Sequence, residues 1–241
     1  MLISPEQLVA HRGHRDQFPE NSLLAIGDAI AAGAKNIEFD IQFTGDGELV
    51  LLHDSNMQRI CGVDQSIHEL SVDQLVNFHA SESERFGDKF KRNPINLFSE
   101  LLPLIKDNAE ISFYMELKDE SLQVLGEDFC FNYLTQSMSS IPSNLRFISF
   151  NTAAVYRAKQ EGFHTTALVF RDWPARNQLL EEARADIGFL NYNRIPDNEL
   201  IQANVPIMVY ETCDTHLIRS LLDRGAAAVE TFCISKILRK L

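Results

Sequence analysis

A chain of 241 residues, 45% hydrophobic and 23% charged, is long enough for one substantial core of barrel size and has the make-up of an ordinary globular protein. Its formal net charge of −12 argues against broad binding to nucleic acid or to an anionic membrane, both of which want a basic surface. An anionic small molecule is still compatible, because a metal and a few basic side chains reverse the field inside a pocket.

Residues 1–6 run straight into the first apolar stretch, without the basic and then apolar segments of a secretory leader. No apolar run approaches the roughly 18–20 residues that cross a bilayer. The expectation is a cytoplasmic protein with no stable membrane insertion; the oligomeric state is left open. The four cysteines, Cys61, Cys130, Cys213 and Cys233, are widely spaced and form no CxxC pair. They read as free thiols, not as a disulfide frame or a zinc site.

In chain order, short apolar runs fall at 8–10, 36–41, 111–117, 145–150, 165–169, 187–190, 206–210 and 227–231, with helix-period segments between them. The first helix is the clearest: Asn21 or Ser22 can cap it, Leu23, Ile26 and Ile30 recur on one face, and Gly33 supplies the stop. Amphipathic segments at 153–161 and 215–223 end similarly at Gly162 and Gly225. After Asp40, Gly45-Asp46-Gly47 reads as a turn and 48–53 as a returning strand. The polar stretch at about 54–94 follows, before helix period resumes at 96–106. That stretch reads as a small insertion, too short for a strong core of its own. Eight strand–helix alternations without a glycine-rich dinucleotide fingerprint favour a TIM-type (β/α)8 barrel over a doubly wound sheet, as one domain over 1–241 with the insertion after the second strand.

Chemistry in such a barrel sits at the C-terminal strand ends. His11, Asp40, Glu116 and Lys118 fall at or just past those ends, and the hairpin returns His53 to the same rim. Residues two apart on a strand share a face, so Glu38 and Asp40 reach one point, as do Glu116 and Lys118. An acidic pair can simply face water, but a parallel barrel strand is covered on both sides and its charges need partners. Three carboxylates with oxygen-only donors suit a hard divalent ion, Mg2+ or Ca2+, better than zinc. His11 and His53 are candidate proton carriers, since imidazole titrates near neutrality. Arg12 and Lys118 are candidate phosphate ligands, unless each only balances a neighbouring carboxylate. Gly13 would let the chain turn closely at the mouth, and Glu20 is either structural, like the rest of Pro19-Glu20-Asn21, or faces the site and orders a ligand. His14 lies near the mouth; the other histidines have no comparable setting. Together these groups are what metal-assisted phosphodiester hydrolysis requires.

The order His11–Gly13, Pro19–Ser22, Glu38–Asp40, Thr44–Gly47, His53-Asp54 and Glu116–Lys118 resembles, over nearly the whole chain, the glycerophosphodiester phosphodiesterases. The resemblance implies a TIM-type barrel, a divalent cation held by Glu38, Asp40 and Glu116, and general base and general acid roles for His11 and His53, in an order left open. It implies small glycerophosphodiesters, such as glycerophosphocholine, cleaved to glycerol 3-phosphate and an alcohol. Phe150 and Tyr210 would wall the glycerol backbone or merely close the barrel. Asn21-Ser22 stands for the family's Asn-Thr, Tyr210-Glu211-Thr212-Cys213 for its Trp-Thr-x-Asn, and Thr231-Phe232 for its Thr-Asp. The last two departures bear on specificity more than on the reaction.

Two other readings compete. A phospholipase D-like cleavage of lysophospholipids or sphingolipids would need an exposed apolar surface by the mouth, to which Phe78 and Phe86, in the insertion, could contribute. A catalytically silent binding protein would have lost a ligand or a histidine, and none is lost.

Overall fold

Alternate residues of the apolar runs face opposite sides of a strand, and here both sides are covered. In the computed structural model, which describes residues 3–138 and 140–239, nine strands form one sheet. They are β1 (Leu8–His11), β2 (Asn36–Phe43), β3 (Leu49–Leu51), β4 (Ser112–Leu117), β5 (Leu145–Ser149), β6 (Thr166–Phe170), β7 (Ile187–Asn191), β8 (Ile207–Tyr210) and β9 (Ala228–Thr231). All pair in parallel except β3, which returns antiparallel along the end of β2. Pairing of β1 with both β2 and β9 closes the other eight into a barrel, the expected TIM (β/α)8 architecture. No described helix is long and apolar enough to cross a membrane.

Strand parity sorts the core into two. Outward residues such as Leu8, Ile37, Phe39, Phe113, Phe147 and Val209 meet the surrounding helices. Inward residues such as Val9, Tyr114, Ile148, Ala167, Phe189 and Met208 plug the barrel below its mouth. Helices are started where the sequence offers caps: Ser22 Oγ accepts from the Ala25 N–H, Asn151 Oδ1 from that of Ala154, and Asp214 Oδ1 from that of His216. Ser22, not Asn21, therefore caps the first helix (Leu23–Ala31), which frees Asn21 for the mouth. Gly13, at φ +76°, lies against the start of that helix; a Cβ there would sit 2.6 Å from the Ala25 carbonyl carbon.

The stretch after the hairpin is less bare than its polarity suggests. Met57, Ile60, Ile67, Leu70 and Leu75 bury together under Val50 and Leu52. This satellite cluster borrows its floor from β3, which is why composition alone underrates it. The Gly45 N–H donates to the Leu70 carbonyl (2.7 Å), locking the insertion to the turn that returns the chain toward the mouth.

The thiol expectation is corrected for two cysteines. Cys213 and Cys233 are disulfide-bonded across 20 residues, Cα–Cα 5.6 Å, whereas Cys61 and Cys130 are free. β8 and β9 pair in parallel, so the segments leaving their ends lie side by side, which sequence spacing does not reveal. A closed loop of this size restricts the unfolded chain, and reduction is expected to lower stability by roughly 3 kcal/mol. Urea unfolding with and without reductant measures it; unchanged midpoints would mean the bond contributes nothing.

Candidate active site

β1, β2, β4 and β9 bring five ionisable side chains to one end of the barrel. The registers place His11 beside Glu38, and Asp40 beside Glu116. Glu38, Asp40, Glu116 and Glu230 are all buried. Oxygens of Glu38, Asp40 and Glu116 lie within 4.8 Å of one another. Glu38 Oε1 is buried and engaged by no protein donor, which leaves it free to join these hard oxygen donors around a divalent cation. Burial, with Asp40, Glu230 and Glu116 adding repulsion, holds the Glu38 carboxyl well above the ordinary range. Asp40 is equally buried, but Lys118 and Arg12 overcome that cost and hold it well below.

Both candidate histidines line a cavity of about 180 Å³ at this mouth, together with Arg12, Glu116, Lys118, Phe150, Tyr210, Glu211 and Glu230. His11 Nε2 lies 3.7 Å from Glu38 Oε2 and 3.9 Å from Glu230 Oε2. Its Nδ1 is hydrogen-bonded to Glu211 Oε2. Burial lowers the His11 value, and Glu211 opposes that shift. His53 follows β3; Gln42 Nε2 donates to its carbonyl (3.1 Å), and its Nδ1 meets Asp54 Oδ1 at 2.5 Å.

The cations are engaged by carboxylates. Lys118 Nζ contacts Asp40 Oδ1 at 2.6 Å and also Glu116. Arg12 places Nη1 2.7 Å from Glu20 Oε1 and Nε 3.2 Å from Asp40 Oδ2, and its own N–H donates to Glu38 Oε2 (2.9 Å). Arg12 and Asn21 adopt left-handed φ of 56° and 51°, a conformation rare for arginine and well tolerated by asparagine, with the chain bent around the carboxylates. Asn21 then clasps Asp40 twice, Nδ2 donating to Oδ2 (2.8 Å) and Oδ1 accepting the Asp40 N–H (2.9 Å).

Glu20 is buried and does not line the cavity. It gathers Arg12, Arg15 and Arg59, with contacts of 2.7–2.8 Å. Although burial raises its value, the three guanidinium groups bring the carboxyl down to about 2 from an ordinary 4.5. A carboxyl lowered in the fold stabilises above pH 4.5 and loses that contribution as pH falls toward 2. Glu20→Gln should therefore cost roughly 3 kcal/mol at pH 7, and the gap from the parent should narrow at pH 3. Urea unfolding at the two pH values is the check; a gap independent of pH would contradict it.

Of the remaining sequence candidates, Phe150 and Tyr210 both reach the cavity, with Arg171 4.7 Å over the Phe150 ring. Burial, with Glu230 and Glu116 nearby, pushes the Tyr210 phenol up to about 12. His14 faces away, bridging Asp28 Oδ2 (2.5 Å) and Ser235 Oγ (3.1 Å) outside the cavity. Two ionisable residues of the cavity, Glu230 and Glu211, were not among the site candidates. Glu230 shares the inward face of its strand with Ala228, a parity signal equal to that of Glu38. Glu211 showed only as part of a departure from the family pattern, and nothing local named its partner, His11, which is 200 residues away.

Known proteins resemble this chain in sequence and fold. A glycerophosphodiester phosphodiesterase of Bacillus altitudinis is 31% identical over 113 residues, covering 47% of this chain and 45% of that protein. Glycerophosphodiester phosphodiesterase 1 of Bos taurus is 26% identical over 166 residues, covering 68% of this chain and 49% of that protein. The match thus spans under half the length of either curated relative. Among solved structures, an Oleispira antarctica phosphodiesterase in complex with the product sn-glycerol-3-phosphate superposes with TM-score 0.84 at 23% identity, covering 97% of this chain and 95% of that one. A glycerophosphodiester phosphodiesterase from Thermotoga maritima gives 0.72 at 18%, covering 98% of both. At these identities the structural likenesses speak for the fold. The sequence model of the Glycerophosphoryl diester phosphodiesterase family matches residues 11–230, from the first mouth histidine to the last mouth carboxylate, and the chain belongs to that family.

Proposed function

We propose that the chain hydrolyses small glycerophosphodiesters to glycerol 3-phosphate and an alcohol, with a hard divalent ion, Mg2+ or Ca2+, held by Glu38, Asp40 and Glu116. The observation that carries this reading is the convergence of those three carboxylates beside a cavity lined by both His11 and His53. A bound ion would polarise the phosphoryl oxygens and offset charge developing in the transition state. Arg12 and Lys118 bind the phosphate: both line the cavity while pinned by carboxylates, so their charges are already oriented when the anion arrives. His11 and His53 move protons, one taking that of the attacking hydroxyl or water and the other protonating the departing alkoxide. Asp54 holds His53 through Nδ1, leaving Nε2 for the proton. Phe150 and Tyr210 flank the glycerol backbone and keep water from the far wall.

Lipid cleavage finds less support. Phe78 packs on the insertion's cluster and Phe86 lies edge-on to Phe90 at 5.1 Å. Among the described residues the large exposed apolar side chains are Leu24, Val63, Val76, Val124, Phe129 and Leu200, and none lines the mouth.

The test is release of glycerol 3-phosphate from a panel of glycerophosphodiesters, with chelator and then with Mg2+ or Ca2+ restored. Activity lost to chelator and regained with one of the ions is expected, and the ion that restores it identifies the metal. Failure on every soluble diester, with metal bound, would overturn the reading. A cytosolic location would keep Cys213 and Cys233 as thiols, whereas the observed bond favours an oxidising compartment. Alkylating the protein in fresh lysate and counting its thiols decides between the two.

A further inference from the structure

Glu211 occupies a place where the family pattern has threonine, whose side chain is two atoms shorter and uncharged. Here the longer side chain reaches the His11 ring, Oε2 against Nδ1, with Arg15 Nη1 3.6 Å from the same oxygen. Its own loop is restrained on the far side: the Thr212 N–H donates to the Glu230 carbonyl (3.1 Å), and Cys213 is bonded to Cys233. The carboxylate is therefore delivered from a tethered segment. A carboxylate oxygen offers only lone pairs, so this contact is a hydrogen bond only when Nδ1 carries the proton. In the neutral ring Nε2 is then bare, and it is Nε2 that faces Glu38, at 3.7 Å. Asp54 stands in the same relation to His53, so each mouth imidazole has a carboxylate behind it.

We propose that Glu211 is the positioning residue of His11: it fixes the Nδ1–H form of the ring and turns the bare Nε2 toward the Glu38–Asp40–Glu116 cluster. The inference rests on the reading of His11 as a proton carrier. As base, Nε2 accepts the proton of the attacking O–H; as acid, it gives its proton to the departing alkoxide; in either role the imidazolium is held against the Glu211 charge. Glu211 touches neither substrate nor metal in this scheme. Its loss changes how often the ring is correctly protonated and aimed, not how well substrate binds.

The experiment uses the full chain with Mg2+ or Ca2+, whichever restores activity, and compares Glu211→Ala, Glu211→Gln and His11→Ala. Glu211→Ala is expected to lower kcat about 10- to 100-fold with KM within about threefold. Nitrogen-15 spectra of labelled histidine, with His11→Ala assigning the resonances, should show Nδ1 protonated and Nε2 bare in the parent and a tautomer mixture in Glu211→Ala. Glu211→Gln keeps an acceptor oxygen in place and should restore the parent tautomer and most of kcat, which loss of the loop's fold would not allow. Parent tautomer and parent kcat in both Glu211 variants, with His11→Ala inactive, would overturn the positioning role alone. Full activity in His11→Ala would instead overturn the reading of His11 on which it rests.

Discussion

His11→Ala is expected to lower kcat for glycerophosphodiester hydrolysis by about 10²- to 10⁴-fold, the range for a positioned proton carrier, with KM changed only a few-fold. The side chain ends β1 and lines the cavity, with Nε2 3.7 Å from Glu38. Burial lowers its value below the ordinary 6.5 despite the opposing Glu211, so the ring is neutral near pH 7. With His11 as the base, the rate should fall as pH drops through a value below 6.5, and His11→Ala should lose that limb; an absent acid limb would give the base role to His53. His53→Ala is expected to be similarly impaired. The double variant should fall little further than either single one, because two groups that serve one proton relay are not additive. A His11→Ala enzyme with the parent's kcat would remove the histidine from the reaction.

Glu38→Gln should separate activity from stability. Its carboxyl sits fully buried among Asp40, Glu230 and Glu116, a repulsion that Arg12 offsets in part and that a retained proton or a bound cation would relieve. Glutamine keeps the shape and removes a charge. Hydrolysis should fall about a thousandfold or more, as several kcal/mol of metal-derived stabilisation are lost. The chelated protein should instead become more stable at neutral pH, read as a higher urea midpoint than the parent's. The sign follows from linkage: a carboxyl whose value is raised in the fold keeps a proton that the unfolded chain gives up. Stability of the chelated parent should then decline as pH rises above the ordinary 4.5 toward the raised value, and Glu38→Gln should flatten that decline. Urea unfolding with chelator at pH 5 and pH 8 reads the stability, and added Mg2+ or Ca2+ should raise the parent's midpoint more than the variant's. A variant that keeps full activity and the full response to the ion would exclude Glu38 as a ligand.

Barrel strands buried on both faces are written as short apolar runs, so the eight parallel strands and their helices were legible in order, with ends displaced by a residue or so. Parity did the same for the mouth: Glu38 with Asp40, and Glu116 with Lys118, share a face because side chains alternate with period two, whatever surrounds them. Glu230 obeys that rule as well and was there to be read. Tertiary structure alone decided which carboxylate each cation and imidazole would meet. Glu211 reaches His11 across 200 residues of sequence, Glu20 collects Arg59 across 39, and Cys213 finds Cys233 only because β8 and β9 end side by side. Local periodicity specifies the face on which a side chain projects. Its partner across the barrel depends on closure and on which loop folds back over the mouth, and neither leaves a mark within a few residues of the groups it joins.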